Sequence, residues 1–349
     1  MKKLVIEEAA TMEYLGDIWF ILWGLLWGIY FALDGYDFGI GMLIPVIGLG
    51  TQKESATMHE VTGPFWDGNE VWLITAGGVT FAAFPLAYAV LFSSLYTPLM
   101  ILLLALILRG VAAEFRHQLA DTRWRLFWDL TVAGCGFLAS LLLGVAFSNL
   151  FRGLPLNDVH IMQGNILDLL HPYCLFGGVV FVVLFLTHGA IYLSARVIGD
   201  LGKKAQFMAK ILWPAFMVLF LVYVLLTFFW AGLYKNYFDY PLLLALPVAC
   251  VVCFLASGHA LFRLNKPMGA FAYNGLGIIC LALTGVVGMY PNLIPSRLDP
   301  AGALTIANSA STPKTLLAML VVALIFVPIV IAYQWWAHQK LADKLDPEY

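Results

Sequence analysis

The segment from Val71 to Leu108 reads VWLITAGGVTFAAFPLAYAVLFSSLYTPLMILLLALIL and contains no Asp, Glu, Lys or Arg. A helix that crosses about 30 Å of hydrocarbon needs about 20 predominantly apolar residues. This segment is nearly twice that length, so it predicts two membrane crossings rather than one. We expect the two crossings to be joined by a tight hairpin around Pro85–Ser94.

The composition of the whole chain supports the same conclusion. Of 349 residues, 62% are hydrophobic and only 11% are charged, whereas roughly a quarter of the residues in a soluble domain are charged. Lipid is therefore the expected solvent, and large soluble domains are excluded. A net charge of −2 with no long basic run argues against a nucleic-acid partner.

Apolar runs between polar breaks predict the fold class: an all-α, polytopic membrane bundle of about nine transmembrane helices, in a single domain over residues 1–349. The predicted spans are residues 18–45, 66–86, 89–109, 126–150, 172–196, 208–232, 241–262, 270–290 and 315–337.

The distribution of Lys and Arg predicts the orientation of the bundle, because positive residues are retained on the cytoplasmic side. Of the 19 Lys and Arg, thirteen follow odd-numbered spans or lie at the C-terminus, and Arg109 and Arg116 are counted among these loop cations. Only six fall on the other side. We therefore expect the N-terminus outside and the C-terminus in the cytoplasm.

Four acidic residues in the first two spans are candidates for proton transfer. Asp34 and Asp37 lie one helical turn apart in span 1, and Asp67 and Glu70 have the same spacing at the start of span 2. With the predicted orientation, all four approach the cytoplasmic face. Carboxylates clustered at such depth suit proton uptake, because burial and like charge favour proton exchange. The alternative for Asp67 and Glu70 is that they only cap a helix N-terminus and stabilise its charge. The alternative for Asp34 and Asp37 is that Gly35 interrupts span 1, so that these acids serve a helix end.

The histidines and cysteines give no convincing ligand set. His188 lies alone in the middle of span 5, which favours a hydrogen-bonded structural residue over a haem ligand. The other six histidines, at span ends or in loops, are expected to be solvated or interfacial: His59, His117, His160, His171, His259 and His338. None has metal-ligand spacing. No metal or cofactor site is therefore predicted in this chain.

Several motifs together resemble the cytochrome bd oxidase subunit II family. The most specific are ALDGYDFGIGML at Ala32–Leu43 and WDGNEVWLITAGG at Trp66–Gly78. Similar stretches follow in the family's order, so that the resemblance covers nearly the whole chain: ADTRWRLFWD at 120–129, GVAFSNLFRGLP at 144–155 and LTIANSASTPKTL at 304–316. One departure is Phe65, where some relatives have His before the Trp.

The resemblance implies a subunit of a bacterial respiratory enzyme that oxidises quinol and reduces dioxygen to water, with haem b and haem d in subunit I. This chain would then lie in the inner membrane among lipids, bind no haem and stabilise subunit I. It would also supply a cytoplasmic proton route through Asp34, Asp37, Asp67 and Glu70. Trp66 and Trp72 would either shape oxygen access or only pack. The pattern is compatible with a small single-helix subunit and with a structural quinone or lipid.

Two other classes of function remain open at this stage. A proton-coupled secondary transporter or channel would also carry intramembrane acids, although broken helices would be expected in two corresponding halves. A purely structural assembly subunit would need no proton role.

Overall fold

The protein is described by a computed structural model over residues 2–341 and 344–347, with side chains described from Tyr14 onward. Helices account for most of the chain. They are α1 (Lys2–Leu43), α2 (Gln52–Thr62), α3 (Trp66–Ala83), α4 (Pro85–Ser94), α5 (Tyr96–Phe115), α6 (Thr122–Arg152), α7 (Pro172–Arg196), α8 (Gly199–Trp230), α9 (Tyr234–Asp239), α10 (Ala245–Phe262), α11 (Pro267–Met289), α12 (Ile306–Ser309) and α13 (Pro313–Lys340).

The remaining regular structure is short. A π-helical turn, Ile44–Gly48, continues α1. Three 3₁₀ turns occur at Ile166–Leu169, Pro241–Leu244 and Pro300–Gly302. Two antiparallel strands, β1 (Asn292–Ile294) and β2 (Leu304–Thr305), lie between α11 and α12. The fold is therefore all-α in class, as predicted.

Within the described residues, eight helices are long and apolar enough to cross a membrane. They correspond to eight of the nine predicted spans. The other predicted span, the second, is occupied by α3, an 18-residue helix that begins with Asp67 in its first turn. The hairpin expected at Pro85–Ser94 is wrong, because this stretch forms the helix α4. Pro85 is compatible with a helix here because it occupies the first turn, where the backbone N–H that proline lacks would have no partner within the helix.

Helix α1 lies at the centre of the bundle and packs against α3, α6, α7 and α11. Two glycines make this possible. A Cβ at Gly35 would come within 2.6 Å of the Phe185 ring on α7, and one at Gly28 within 3.1 Å of the Ile279 Cα on α11. Backbones approach this closely only where side chains are absent.

One face of the bundle carries α2, and we call it the α2 face. The C-terminal ends of α1 and α5 and the N-terminal ends of α3 and α6 meet there. The C-terminal segment reaches the same face, because the Leu345 amide donates to the Arg196 carbonyl at the end of α7. The opposite face carries β1, β2 and the connection between α6 and α7, whose Leu154 and Leu156 are buried.

Candidate functional site

Helices α1, α3 and α5 bring two acids onto one arginine. Arg109 donates from Nη1 to Asp34 Oδ1 over 2.8 Å and from Nη2 to Glu70 Oε1 over 2.7 Å. Asp34 and Arg109 are buried and Glu70 is half-buried. The guanidinium also lies over the Phe38 ring, 4.5 Å from its centroid. Buried charges are normally paired in this way, because isolation from water is costly.

A third acid lies beside this pair and has an amide partner instead of a cation. Asn69 donates from Nδ2 to Asp37 Oδ2 over 2.7 Å and to the Tyr36 hydroxyl over 2.8 Å. The other oxygen, Asp37 Oδ1, is buried and has no hydrogen-bond partner among the described residues. We refer to Asp34, Asp37, Asn69, Glu70 and Arg109 as the acidic cluster. It contains three carboxyl groups and one guanidinium.

The structure therefore brings together three of the four predicted acids. Asp67 differs, because it is exposed in the first turn of α3, and the N-cap residue, Phe65, makes no side-chain capping bond. Helix capping is wrong for Glu70, whose carboxylate bonds Arg109. Gly35 does not break α1, which is helical throughout, so Asp34 and Asp37 serve no helix end.

Sequence reasoning missed Arg109 and Asn69. Arg109 was counted as a loop cation, but it is buried within α5. The signal that could have identified it is the rule that intramembrane acids usually pair with a nearby cation. Nothing in the motif WDGNEVWLITAGG distinguished Asn69 as a hydrogen-bond partner of the acids.

A second buried ionic group joins α2 to α5 and α6. Asp129 accepts from Arg116 Nε over 2.6 Å, from the Ser55 hydroxyl over 2.7 Å and faces His59 Nε2 at 2.8 Å. All four residues are buried. We call this group the anchoring cluster.

Two predictions are corrected by the anchoring cluster. Of the solvated or interfacial role expected for His59, the solvated alternative is wrong because the side chain is buried, and Arg116 is not a free loop cation. Burial lowers the pKa of His59 below its ordinary value, despite the opposing effect of Asp129. Without Arg109 and Arg116, eleven Lys and Arg remain on the side predicted to be cytoplasmic and six on the other side. The positive residues therefore still favour the same orientation.

The remaining candidate residues contact neighbouring helices. His188 Nε2 is 2.9 Å from the Ala32 carbonyl and Nδ1 is 3.0 Å from Asn274 Nδ2. Both ring nitrogens thus lie within hydrogen-bond distance of a neighbour, which confirms a hydrogen-bonded histidine. Trp72 is buried and donates from Nε1 to Gln334 on α13 over 3.0 Å.

Residues 65 and 66 lie next to each other at the start of α3. Phe65 stacks on His338, with ring centroids 4.1 Å apart. Trp66 packs over Gly110. Because position 65 is Phe, a relay that relies on a histidine there must differ or be absent in this chain.

Comparison with known proteins identifies the family. Residues 15–341 match the family described as cytochrome bd terminal oxidase subunit II. The chain belongs to this family. It is 35% identical to cytochrome bd ubiquinol oxidase subunit 2 of Bacillus subtilis, covering 94% of this chain and 96% of the relative. It is 32% identical to cytochrome bd-I ubiquinol oxidase subunit 2 of Escherichia coli, covering 96% of both chains.

A solved structure has the same fold. The match is to the bd oxidase from Geobacillus thermodenitrificans, with a TM-score of 0.76 and 18% identity, over 93% of this chain and 97% of that one. This subunit II is therefore a multi-pass protein of the bacterial inner membrane and part of a respiratory oxidoreductase complex. Family membership favours the oxidase subunit over the transporter or channel.

Proposed function

We propose that this chain is the haem-free subunit of a quinol:dioxygen oxidoreductase and that its acidic cluster conducts protons from the cytoplasm. Haem b and haem d would be held by subunit I, which this chain would stabilise by packing. The relatives in Bacillus subtilis and Escherichia coli, named ubiquinol oxidases, support quinol as the electron donor.

The observation that carries the proton role is the imbalance of charge in the acidic cluster. One guanidinium cannot neutralise three carboxylates, and a buried excess of negative charge is unfavourable unless protons are bound. Among the described residues, Asp37 is the acid of the cluster without a cationic contact, so its carboxyl group would take up and release the proton. Exposed Asp67 would be a surface carrier of the same route, where water can take its place.

The position of the cluster also supports the proposal. Asp37 lies in the last two turns of α1, near the α2 face, and this face carries most of the Lys and Arg in the sequence. The positive-inside rule would make it the cytoplasmic face, from which an oxidase draws the protons for water formation.

Asp37→Asn tests the proposal, because the carboxamide oxygen can still accept from Asn69 while the group can no longer carry a proton. We expect quinol oxidase turnover to fall on the order of 100-fold, the lower end of what a positioned proton carrier contributes. Haem content of the purified complex, measured by absorbance, checks assembly. Asp239→Asn, at an exposed position on the opposite side, is the matched control.

Two outcomes would contradict the proposal. Full turnover of an assembled Asp37→Asn complex would leave only a structural role for the acidic cluster. Purification of a tagged chain in mild detergent without a haem-containing partner would exclude the oxidase subunit itself.

A further inference from the structure

A partly open chamber of about 130 Å³ lies between the acidic cluster and the anchoring cluster. Asp37 and Arg109 line one part of it, His59 and Trp66 another, and Glu114 and His117, near the exposed end of α5, complete the lining. At about 30 Å³ per molecule the chamber has room for about four waters. The polar side chains within its mostly apolar lining, among them Asp37, His59 and Arg109, supply hydrogen-bond partners for such waters.

His59 is the titratable residue of α2 that lines this chamber. Its Nε2 faces Asp129 Oδ1 at 2.8 Å, so a neutral His59 donates from Nε2 and keeps the lone pair of Nδ1 free. Nδ1 has no hydrogen-bond partner among the described side chains. Asp129 from α6 and, just beyond the end of α5, Arg116 and His117 lie around the ring. The other charged groups that line the chamber are Asp37 from α1 and Arg109 and Glu114 from α5.

The charges around His59 suit temporary protonation. Arg116 already neutralises Asp129, which leaves His59 neutral at rest, and Asp129 would stabilise an imidazolium whenever it forms. Burial lowers the pKa of His59, so an accepted proton is readily passed on. Such a group exchanges protons with water but does not retain them.

We propose that the chamber is the proton entrance to the acidic cluster and that His59 is its proton-carrying residue. A proton arriving by water from the side of Glu114 and His117 binds His59 Nδ1. It then leaves the same nitrogen for chamber water and reaches Asp37 Oδ1. No bond other than N–H and O–H forms or breaks, and no electrons move. This inference rests on the proposed proton role of Asp37.

Two variants test the chamber in the assembled oxidase. His59→Gln keeps an amide donor for Asp129 but cannot carry a proton. Ala113→Leu places a larger side chain into the chamber and replaces no residue of either cluster. Ala215→Leu, the same substitution at an exposed position of α8, is the control. Oxygen consumption with excess quinol is measured from pH 6 to 9, in H₂O and in D₂O, with haem content as the check on assembly.

We expect both variants to be about tenfold slower than wild type, with a larger loss at high pH, where free protons are scarce. The ratio of rates in H₂O and D₂O should rise, which a purely structural defect would not produce. The chamber is excluded if Asp37→Asn is slow while both variants turn over at the wild-type rate. If only Ala113→Leu is slow, the assignment to His59 is overturned. Full turnover of Asp37→Asn would overturn the proposed function and this inference together.

Discussion

Two buried arginines, Arg109 within α5 and Arg116 at its C-terminal end, are paired with different numbers of acids. Arg116 meets one carboxylate, Asp129, in a cluster with no excess charge. Arg109 meets Asp34 and Glu70, with Asp37 close by, so the acidic cluster has more carboxyl groups than cations. Both clusters are built from arginine and carboxylate side chains. The charges balance in the anchoring cluster, which holds α2 against α6, and they do not balance in the acidic cluster, which is therefore suited to binding protons.

The largest expected effect comes from breaking the balanced group. Asp129→Asn leaves Arg116, which cannot lose its charge, without another carboxylate partner among the described residues. We expect a loss of about 3 to 5 kcal/mol in the free energy of unfolding. The thermal unfolding midpoint and the yield of the complex in mild detergent measure it.

A double variant provides the control for this prediction. Asp129→Leu combined with Arg116→Met removes both charges, so it should recover most of the lost stability. If the double variant is as unstable as Asp129→Asn, lost packing and not an unpaired charge is the cause.

An Asp→Asn substitution in the acidic cluster should lower the free energy of unfolding by less than Asp129→Asn does. Asp34→Asn leaves Arg109 paired with Glu70, and the carboxamide oxygen of Asn can still accept from Nη1. We expect a loss of about 1.5 to 3 kcal/mol, the usual range for one hydrogen bond to a charged group. The same unfolding assay, run beside Asp129→Asn, measures the difference. Equal losses would show that the excess acid is needed for stability, which would remove the distinction between the clusters.

A pH titration of stability sharpens the comparison, because His59 belongs to the anchoring cluster alone. Its pKa in the folded protein is lowered from 6.5 by burial. Neutral His59 therefore contributes its full stability above about pH 6.5, and stability declines as the pH falls below that value. The loss is at most about 1.4 kcal/mol per pH unit. His59→Gln should have a flatter profile than wild type between pH 7.5 and 5.5, and an identical profile would show that other groups dominate.

The contrast between the clusters also shows how far the sequence could predict this molecule. Apolar runs located the long helices, and charged residues within those runs located the acids, because both signals are local in sequence. The partners were not local: Arg109 is 75 residues from Asp34, and His59 is 70 residues from Asp129. Without knowing which helices touch, Arg109 and Arg116 looked like loop cations and His59 looked solvated. Helix α4 was missed because its apolar residues merged with those of the neighbouring spans.

The smallest effect is expected at Asp67, the acid that lies outside both clusters. An exposed carboxylate in the first turn of α3 interacts with the helix dipole, so Asp67→Asn should lower stability by about 0.5 kcal/mol. Water can replace an exposed carrier, so turnover should fall by less than about twofold, far less than in Asp37→Asn. Asp200→Asn, in the first turn of α8, is the control for stability alone. A turnover loss in Asp67→Asn as large as that in Asp37→Asn would mean that Asp67 is an obligatory carrier. Protons would then enter the acidic cluster by way of Asp67 and not by way of the chamber.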